Sequence, residues 1–574
     1  MRFLASMIAF GFVVATSIGT HAEVATSPTV QQISRGSCSP PILNNNGTIN
    51  LTCADLDADA TEQLEKQLAE LLPQLRQTLA DRSEDFRTIR NQNDLIGILR
   101  EQADDWATRY RDLSSRVPND EAGKRARELI KTFQFDEAEK LLKEEATKEQ
   151  PDVSRAASTQ YDLGSIALLK FDWEAAFPYF LKAFNYEPSN SKYADLMGTS
   201  AYIAKQYSEA ERGMKAALEL YGELAKSKPE FYQPYIAPLL HNLGNLYGET
   251  DRGEDALAKL NQSVAMRREI AKRDPAERVA LASTLIDLAK QLEDSKKSTK
   301  EAERDYKEAI ALYREVNNTS PEVGNLADAI NSLGVFYYEN DRPSDAVRCY
   351  LDAIEIRGKL PRSLDTAMEM NFLLLNLGLA YDDLKQRTNA EKAYLDGVKA
   401  IQDVGDKTNT GDYILSRSFV QLADHYAKFG QNIEAEKSYL EVINIRREMK
   451  AREPVLGGLV LTDALGHLFE FYEDQKRFKD AASPLNEALS LSRELRPQNE
   501  EFRVNEAKAL GNLGVLKHME RDEVAAAGFF RDALQIFQEQ SASNPELGEY
   551  VEQMKEAINE VEHSASPPKR RNRH

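Results

Sequence analysis

Cysteine, tryptophan and histidine are scarce in this chain, and positive charge is in deficit. Three cysteines and two tryptophans among 574 residues leave no framework of disulfides and no cysteine cluster to hold a metal. The histidines beyond residue 22 are His241, His425, His467, His518, His563 and His574, scattered with no pair at metal-ligand spacing on one helix. No serine sits in a nucleophile elbow and no glycine-rich phosphate loop follows a strand, so neither a catalytic site nor a cofactor or metal site can be assembled. Lys and Arg number 73 against 93 Asp and Glu, a formal net charge of -20. A surface this acidic repels phosphates and excludes sequence-independent nucleic-acid binding, while basic or neutral partners remain open. After the N-terminal region no apolar stretch approaches the roughly 20 residues a bilayer-spanning helix needs, so no stable membrane insertion is expected.

The first residues carry a clear local signal. Arg2 is followed by an almost unbroken apolar or small run from Phe3 to Gly19, and Thr20-His21-Ala22 ends in a small residue. This is the pattern of a secretory signal peptide over residues 1–22, which predicts a periplasmic or secreted protein. Residues 23–58 read as a small hairpin. Asn46-Gly47 is a tight-turn dipeptide, Thr48 to Thr52 alternates polar and apolar, and Cys38 and Cys53 bracket the pair. A Cys38–Cys53 disulfide is the expectation, stabilising the hairpin by about 3 kcal/mol in the chain-entropy model. Cys349 stands alone and reads as a small buried apolar residue.

Residues 59–118 read as helical. Ile96, Leu99, Ala103, Trp106, Tyr110 and Leu113 alternate steps of three and four, a heptad seam. Leu64, Leu68, Leu71 and Leu75 make a similar run that Pro73 should kink. Two readings stay open: a coiled coil that makes a homo-oligomer, or a helical hairpin folded onto itself or onto the first repeat of the region beyond residue 118.

Self-similarity dominates residues 119–540. Asn242-Leu243-Gly244-Asn245-Leu246-Tyr247 is followed by Ala256 and Leu260; Ser332-Leu333-Gly334-Val335-Phe336-Tyr337 by Ala346 and Tyr350; Asn376-Leu377-Gly378-Leu379-Ala380-Tyr381 by Ala390 and Tyr394. The frame recurs at Leu422-Ala423 with Ala435 and Tyr439, and at Leu513-Gly514 with Ala526 and Phe530. A small residue after Leu lets a second helix approach, and the Ala twelve residues on sits where the two helices cross, with no room for more. The marker positions are Gly164, Gly198, Gly244, Ala289, Gly334, Gly378, Ala423, Phe469 and Gly514, after a degenerate copy around Ala126 and Ala138. The first interval is 34 residues and the later ones 44 to 46. The extra residues extend helices, as at Met266–Ala271 and Ile445–Lys450, and stop near Pro275, Pro321, Pro361 and Pro454. Phe469 replaces the small residue in one copy, Lys517 replaces the Tyr in another, and Ser295–Lys300 carries an insertion. Residues 541–563 read as a capping helix and the basic tail 564–574 as disordered.

These residues resemble the tetratricopeptide repeat (TPR) family, in the long form found in kinesin light chains and bacterial scaffold proteins. The resemblance implies an all-α superhelical solenoid of about nine to ten helix-turn-helix repeats, in which stacked pairs bury what one pair cannot. It also implies a concave groove lined by the first helix of each repeat. Projected onto this sequence, the groove is mainly acidic: Asp195, Glu249, Glu293, Asp294, Asp328, Asp382, Asp383, Asp424, Glu473 and Asp474, with Tyr202 and Tyr338 among its aromatic members. The expected function is a non-enzymatic scaffold for a protein or peptide segment with basic and apolar side chains. The alternative is a self-assembling spacer oligomerised through residues 59–118.

Overall fold

The computed structural model describes residues 42–43, 49–50, 56–68, 106–107, 109–114, 121–147, 153–170, 172–295, 298–316, 320–360, 364–405, 408–499, 501–541, 544 and 547–564. The signal-peptide region, Cys38, Cys53 and the basic tail lie outside these residues. The strand expectation holds on a small scale: β1 (Ile42–Leu43) and β2 (Ile49–Asn50) pair antiparallel, Ile42 opposite Asn50 and Leu43 opposite Ile49. Everything else that is regular among the described residues is helix.

The chain divides into two compact units, one holding the described residues up to Leu384 and the other those from Lys385 onward. The first unit contains α1 (Glu121–Lys131), α2 (Phe135–Ala146), α3 (Val153–Leu169), α4 (Trp173–Tyr186), α5 (Ser191–Ile203), α6 (Tyr207–Ala225), α7 (Pro229–Glu249), α8 (Gly253–Ala271), α9 (Glu277–Asp294), α10 (Thr299–Val316), α11 (Ser320–Glu339), α12 (Pro343–Arg357) and α13 (Leu364–Asp383). The second contains α14 (Arg387–Gln402), α15 (Asn409–Lys428), α16 (Asn432–Arg452), α17 (Pro454–Asp474), α18 (Phe478–Leu495), α19 (Glu501–Met519), α20 (Glu523–Ser541) and α21 (Gly548–Ser564). Odd numbers from α1 to α19 are the first helices of the repeats and even numbers the second, so each unit is a solenoid of helical hairpins.

The marker residues behave as their spacing predicts. A Cβ added to Gly198 would lie 2.6 Å from the backbone nitrogen of Met214, and one added to Gly514 would lie 2.6 Å from the Phe530 ring. The Ala of each crossing is fully buried: Ala176, Ala210, Ala256, Ala346, Ala435, Ala481 and Ala526 all have 0% exposure. The insertion before α10 moves the frame by one residue, so Ala302 and Tyr306 fill the crossing there, both fully buried. Where Phe469 replaces the small residue, the position sixteen further on holds Leu485 in place of an aromatic ring, and both side chains are buried. The extra residues lengthen helices: α4 and α5 have 14 and 13 residues, while α7 and α8 have 21 and 19. Pro321 and Pro454 occupy the first turns of α11 and α17, where a missing N–H costs nothing.

Among the described residues, the hairpin turns use a left-handed residue seven places after the marker. Lys205, Asp251, Asp341, Lys476 and Arg521 have φ between 54° and 66°, and Gly430 has φ 73°. The next N–H then donates back to a carbonyl near the helix end, as Arg252 does to Tyr247 and Arg477 to Tyr472, both at 2.8 Å. This closes the first helix with the bond pattern of a Schellman cap.

The N-terminal seam is used inside the chain. Trp106, Tyr110 and Leu113 are buried with Ala60, Leu64 and Leu68 in one core with Ala126, Ile130, Phe135 and Ile166. Trp106 Nε1 donates to Gln67 Oε1 at 2.7 Å and to the Leu169 carbonyl at 3.0 Å, while its ring stacks on Tyr110 at 5.2 Å. At Trp106, Tyr110 and Leu113 the folded-back reading holds, while Ile96, Leu99, Ala103, Leu71, Pro73 and Leu75 lie outside the described residues. At the other end α21 caps the last pair: Val551, Met554, Ala557 and Val561 are buried, and Tyr550 stacks on Phe537 at 5.1 Å.

Candidate functional site

Within the first unit successive first helices from α5 to α13 touch directly, and their polar side chains tie one repeat to the next. Tyr202 on α5 donates to Glu249 Oε1 on α7 at 3.0 Å. His241 on α7 has no exposed surface; its Nε2 lies 2.8 Å from Asp287 Oδ2 on α9, and Asn376 Nδ2 on α13 donates to Asn331 Oδ1 on α11 at 3.4 Å. Burial alone would raise the Asp287 carboxyl, but the hydrogen bonds to His241 and Asn245 and the charges of Lys290 and His241 together outweigh it and hold the group below the usual carboxylate range.

The predicted groove residues fall into two groups in this arrangement. One group is engaged between helices. Besides the Tyr202–Glu249 pair, Asp195 is half-buried, with Thr199 Oγ1 donating to it at 3.4 Å, and burial pushes its carboxyl up to about 6. Asp328 pairs with the buried Arg357. Asp424 accepts a hydrogen bond from Tyr439, and burial raises its pKa. Asp382 and Glu473 are buried at 5% exposure each, while Glu293 and Tyr338 are half-buried. The other group, Asp294, Asp383 and Asp474, faces solvent, and Glu249 is exposed as well although it accepts from Tyr202; all four stand five residues after their markers. Glu339 occupies the same place in its repeat and is exposed too, so four successive repeats of the first unit present an acidic side chain at one equivalent position.

Two recurring devices escaped the sequence reading. Buried arginines lie twenty-three residues after alternate markers: Arg267, Arg357 and Arg446 are 1%, 3% and 3% exposed. They meet acids on the first helix of the following pair, Arg267 with Glu277, Arg357 with Glu369, and Arg446 with Asp463 at 2.7 Å. The signal was present as a basic residue in a register that is Tyr313 or Ile401 in the intervening repeats. The second device explains the Tyr three places after the marker. Tyr247, Tyr337 and Tyr472 donate to Glu211, Glu303 and Glu436 of the preceding second helix at 2.9–3.0 Å. Arg252, Arg342 and Arg477 stack on those same rings at 3.9, 4.2 and 4.6 Å and pair with the same glutamates. Burial would raise Glu303, but hydrogen bonds from Lys307, Tyr337 and Arg342 outweigh it and hold the carboxyl down to about 2.

Among the described residues no group of three or more His, Cys, Asp or Glu side chains is placed to hold a metal ion, and no helix is long and apolar enough to cross a membrane. Cys349 is half-buried, and burial pushes its thiol up to about 11.

Paired helices at this period, crossing on small residues and joined by left-handed caps, define an all-α repeat solenoid. Residues 326–360 and 373–403 match family models for the tetratricopeptide repeat. These two stretches are tetratricopeptide repeats, and the other hairpins repeat their spacing. No curated protein matches it by sequence. Similar solved structures include BtubC (BKLC) from P. vanneervenii, 19% identical over 42% of this chain and 92% of that one, with a TM-score of 0.35. The apo form of the quorum sensor NprR from B. thuringiensis is 16% identical over 68% of this chain and 99% of that one, with a TM-score of 0.36. Putative kinesin light chain TPR-like repeats from Podosopora anserina are 18% identical over 37% of this chain and 95% of that one, with a TM-score of 0.30.

Proposed function

We propose that this chain is a non-enzymatic interaction scaffold of the periplasm or cell exterior, and that its first-helix face takes a protein or peptide segment with basic and apolar side chains. The observation that carries this reading is the exposed acidic column of the first unit, Glu249, Asp294, Glu339 and Asp383. Neighbouring helices pack about 8–10 Å apart, close to the rise of three extended residues at roughly 3.3 Å each. A segment with Lys or Arg at about every third position would therefore meet one carboxylate per repeat. Electrostatic complementarity of this kind speeds encounter and fixes register more than it adds affinity.

Export rests on the leader-like residues 1–22, and sequencing the N-terminus of the protein recovered from the envelope tests it. The binding face is tested with Asp294→Lys, Glu339→Lys and Asp383→Lys combined in the full chain. Partners captured by crosslinking in the native compartment should be lost; an unchanged set refutes the face. The alternative of a self-assembling spacer has weaker support, because Trp106, Tyr110 and Leu113 are buried within the chain.

A further inference from the structure

The second unit carries an acidic patch on its own first-helix face. Near the C-terminal end of α17, Glu470 has His467 Nδ1 at 3.9 Å, and Asp474 is exposed. Asp463 is already neutralised by Arg446 at 2.7 Å. Glu473 is 5% exposed, and its Oε2 is buried with no hydrogen-bond partner. A buried acceptor left unmade is costly, and structures tolerate it where something else completes the bond. Glu473 stands four residues after its marker, the place from which Tyr202 reaches the next first helix. It therefore faces α19 and, beyond it, α21.

The capping helix extends the same row. Lys508 Nζ lies 5.5 Å from the Tyr550 ring centroid, and a Cβ on Gly511 would lie 3.4 Å from Met554 Sδ, so α21 runs parallel to α19. Its pairing with α20 is antiparallel, Phe537 against Tyr550 and Arg531 against Glu562. The end of α21 at Ser564 thus lies at the same end of the row as Glu470, Glu473 and Asp474, two helix spacings or about 20 Å away. Residues 565–574 come next in the chain, with Lys569, Arg570, Arg571 and Arg573 among them. At roughly 3.3–3.6 Å per residue, five to nine residues reach about 16 to 32 Å.

We propose that residues 565–574 fold back along the first-helix face of the second unit and set their cationic side chains against Glu470, Glu473 and Asp474, covering a face that a partner would use. This rests on the reading of the first-helix faces as sites for basic segments, but it concerns a different patch from the Glu249–Asp383 column. Two measurements test it. Carbodiimide coupling of the full chain should join Lys569 to Glu470, Glu473 or Asp474; links confined to Glu560 and Glu562 of its own helix would overturn the proposal. A labelled peptide of residues 564–574, added in trans at low salt, should bind a chain ending at Ser564 at least tenfold more tightly than it binds the full chain. That binding should fall at least tenfold in the shortened chain carrying Glu470→Gln and Asp474→Asn. Equal binding to shortened and full chains, or none to the shortened chain, would also overturn it. Either failure leaves the first unit's column to be judged by its own Lys substitutions.

Discussion

Two glycines of α6 offer a contrast within a single helix. A Cβ on Gly213 would lie 2.6 Å from the Cα and the backbone nitrogen of Gly198 and 2.6 Å from Met197 Sδ, while one on Gly222 would meet nothing within 4 Å. The change to Ala is identical at both positions, and in a helix interior it is worth about 1 kcal/mol of improved propensity. At Gly222 that gain stands alone. At Gly213 the new methyl strikes backbone, which cannot swing aside as a side chain can, so overpacking falls near the top of its usual range of about 1–3 kcal/mol. Gly213→Ala should therefore destabilise by about 2 kcal/mol net and Gly222→Ala stabilise by about 1 kcal/mol, a separation of about 3 kcal/mol. Urea unfolding followed by circular dichroism gives the totals, and amide exchange across α5 and α6 localises them. Equal stabilities for the two variants would refute the idea that Gly198 and Gly213 form a backbone-to-backbone crossing.

The geometry sets three further outcomes. Lys476→Gly should stabilise the second unit by about 0.5–1 kcal/mol, since a left-handed L-residue costs about 1–2 kcal/mol and glycine's unfolded-state entropy offsets only part of that; Gly430→Ala should do the reverse, and paired thermal melts decide. Arg357→Ala should cost about 3 kcal/mol by leaving Asp328 and Glu369 uncompensated, as measured by urea unfolding. Burial first, and then the charge of Asp474, push Glu473 up to about 7, and burial does the same for Glu470. Because these folded-state values lie above those of the unfolded chain, the protonated side chains contribute fully only below the ordinary carboxyl value of 4.5, and the contribution is lost as pH rises from there through about 7. In a chain ending at Ser564, where no tail cation can reach these carboxylates, the second unit should melt higher at pH 5.5 than at pH 8, and Glu473→Gln should recover about 2 kcal/mol at pH 8 and less than half of that at pH 5.5.

The hairpin repeat was legible because its constraints are steric. Gly198, Gly244 and Ala256 must be small whatever surrounds them, and a required small residue leaves a mark at a fixed spacing. The left-handed caps left no such mark. Lys205, Asp251 and Arg521 adopt a conformation that glycine would fill without cost, so composition hides the turn and only the position reveals it. The buried arginines were hidden for another reason: Arg267 and Arg446 look like surface residues of an extended helix until the acid that receives each is known. The seam of Trp106, Tyr110 and Leu113 was read correctly as apolar and helical, but periodicity cannot say whether its partner lies in the same chain.

The candidate face was legible in outline and not in detail. Projection from the markers put the candidate residues on first helices, where the structure has them, with an acidic bias. It could not separate Asp382 and Glu473, which are buried, from Asp383 and Asp474, their exposed neighbours in sequence. One residue of helix is a rotation of about 100°, enough to move a carboxylate from the space between helices into solvent. That difference is set by how far each hairpin rotates against the next, which depends on the sum of the packing contacts.

The most direct test of the first-helix face is site-specific photocrosslinking in the native compartment. A benzophenone amino acid at position 294 or 383 stands on that face, and one at position 351 or 355 stands on the exposed side of α12, a second helix. We expect a discrete crosslinked partner from 294 and 383 and none from 351 and 355. A partner captured from 351 and 355 but not from 294 and 383 would contradict the assignment of binding to the first helices.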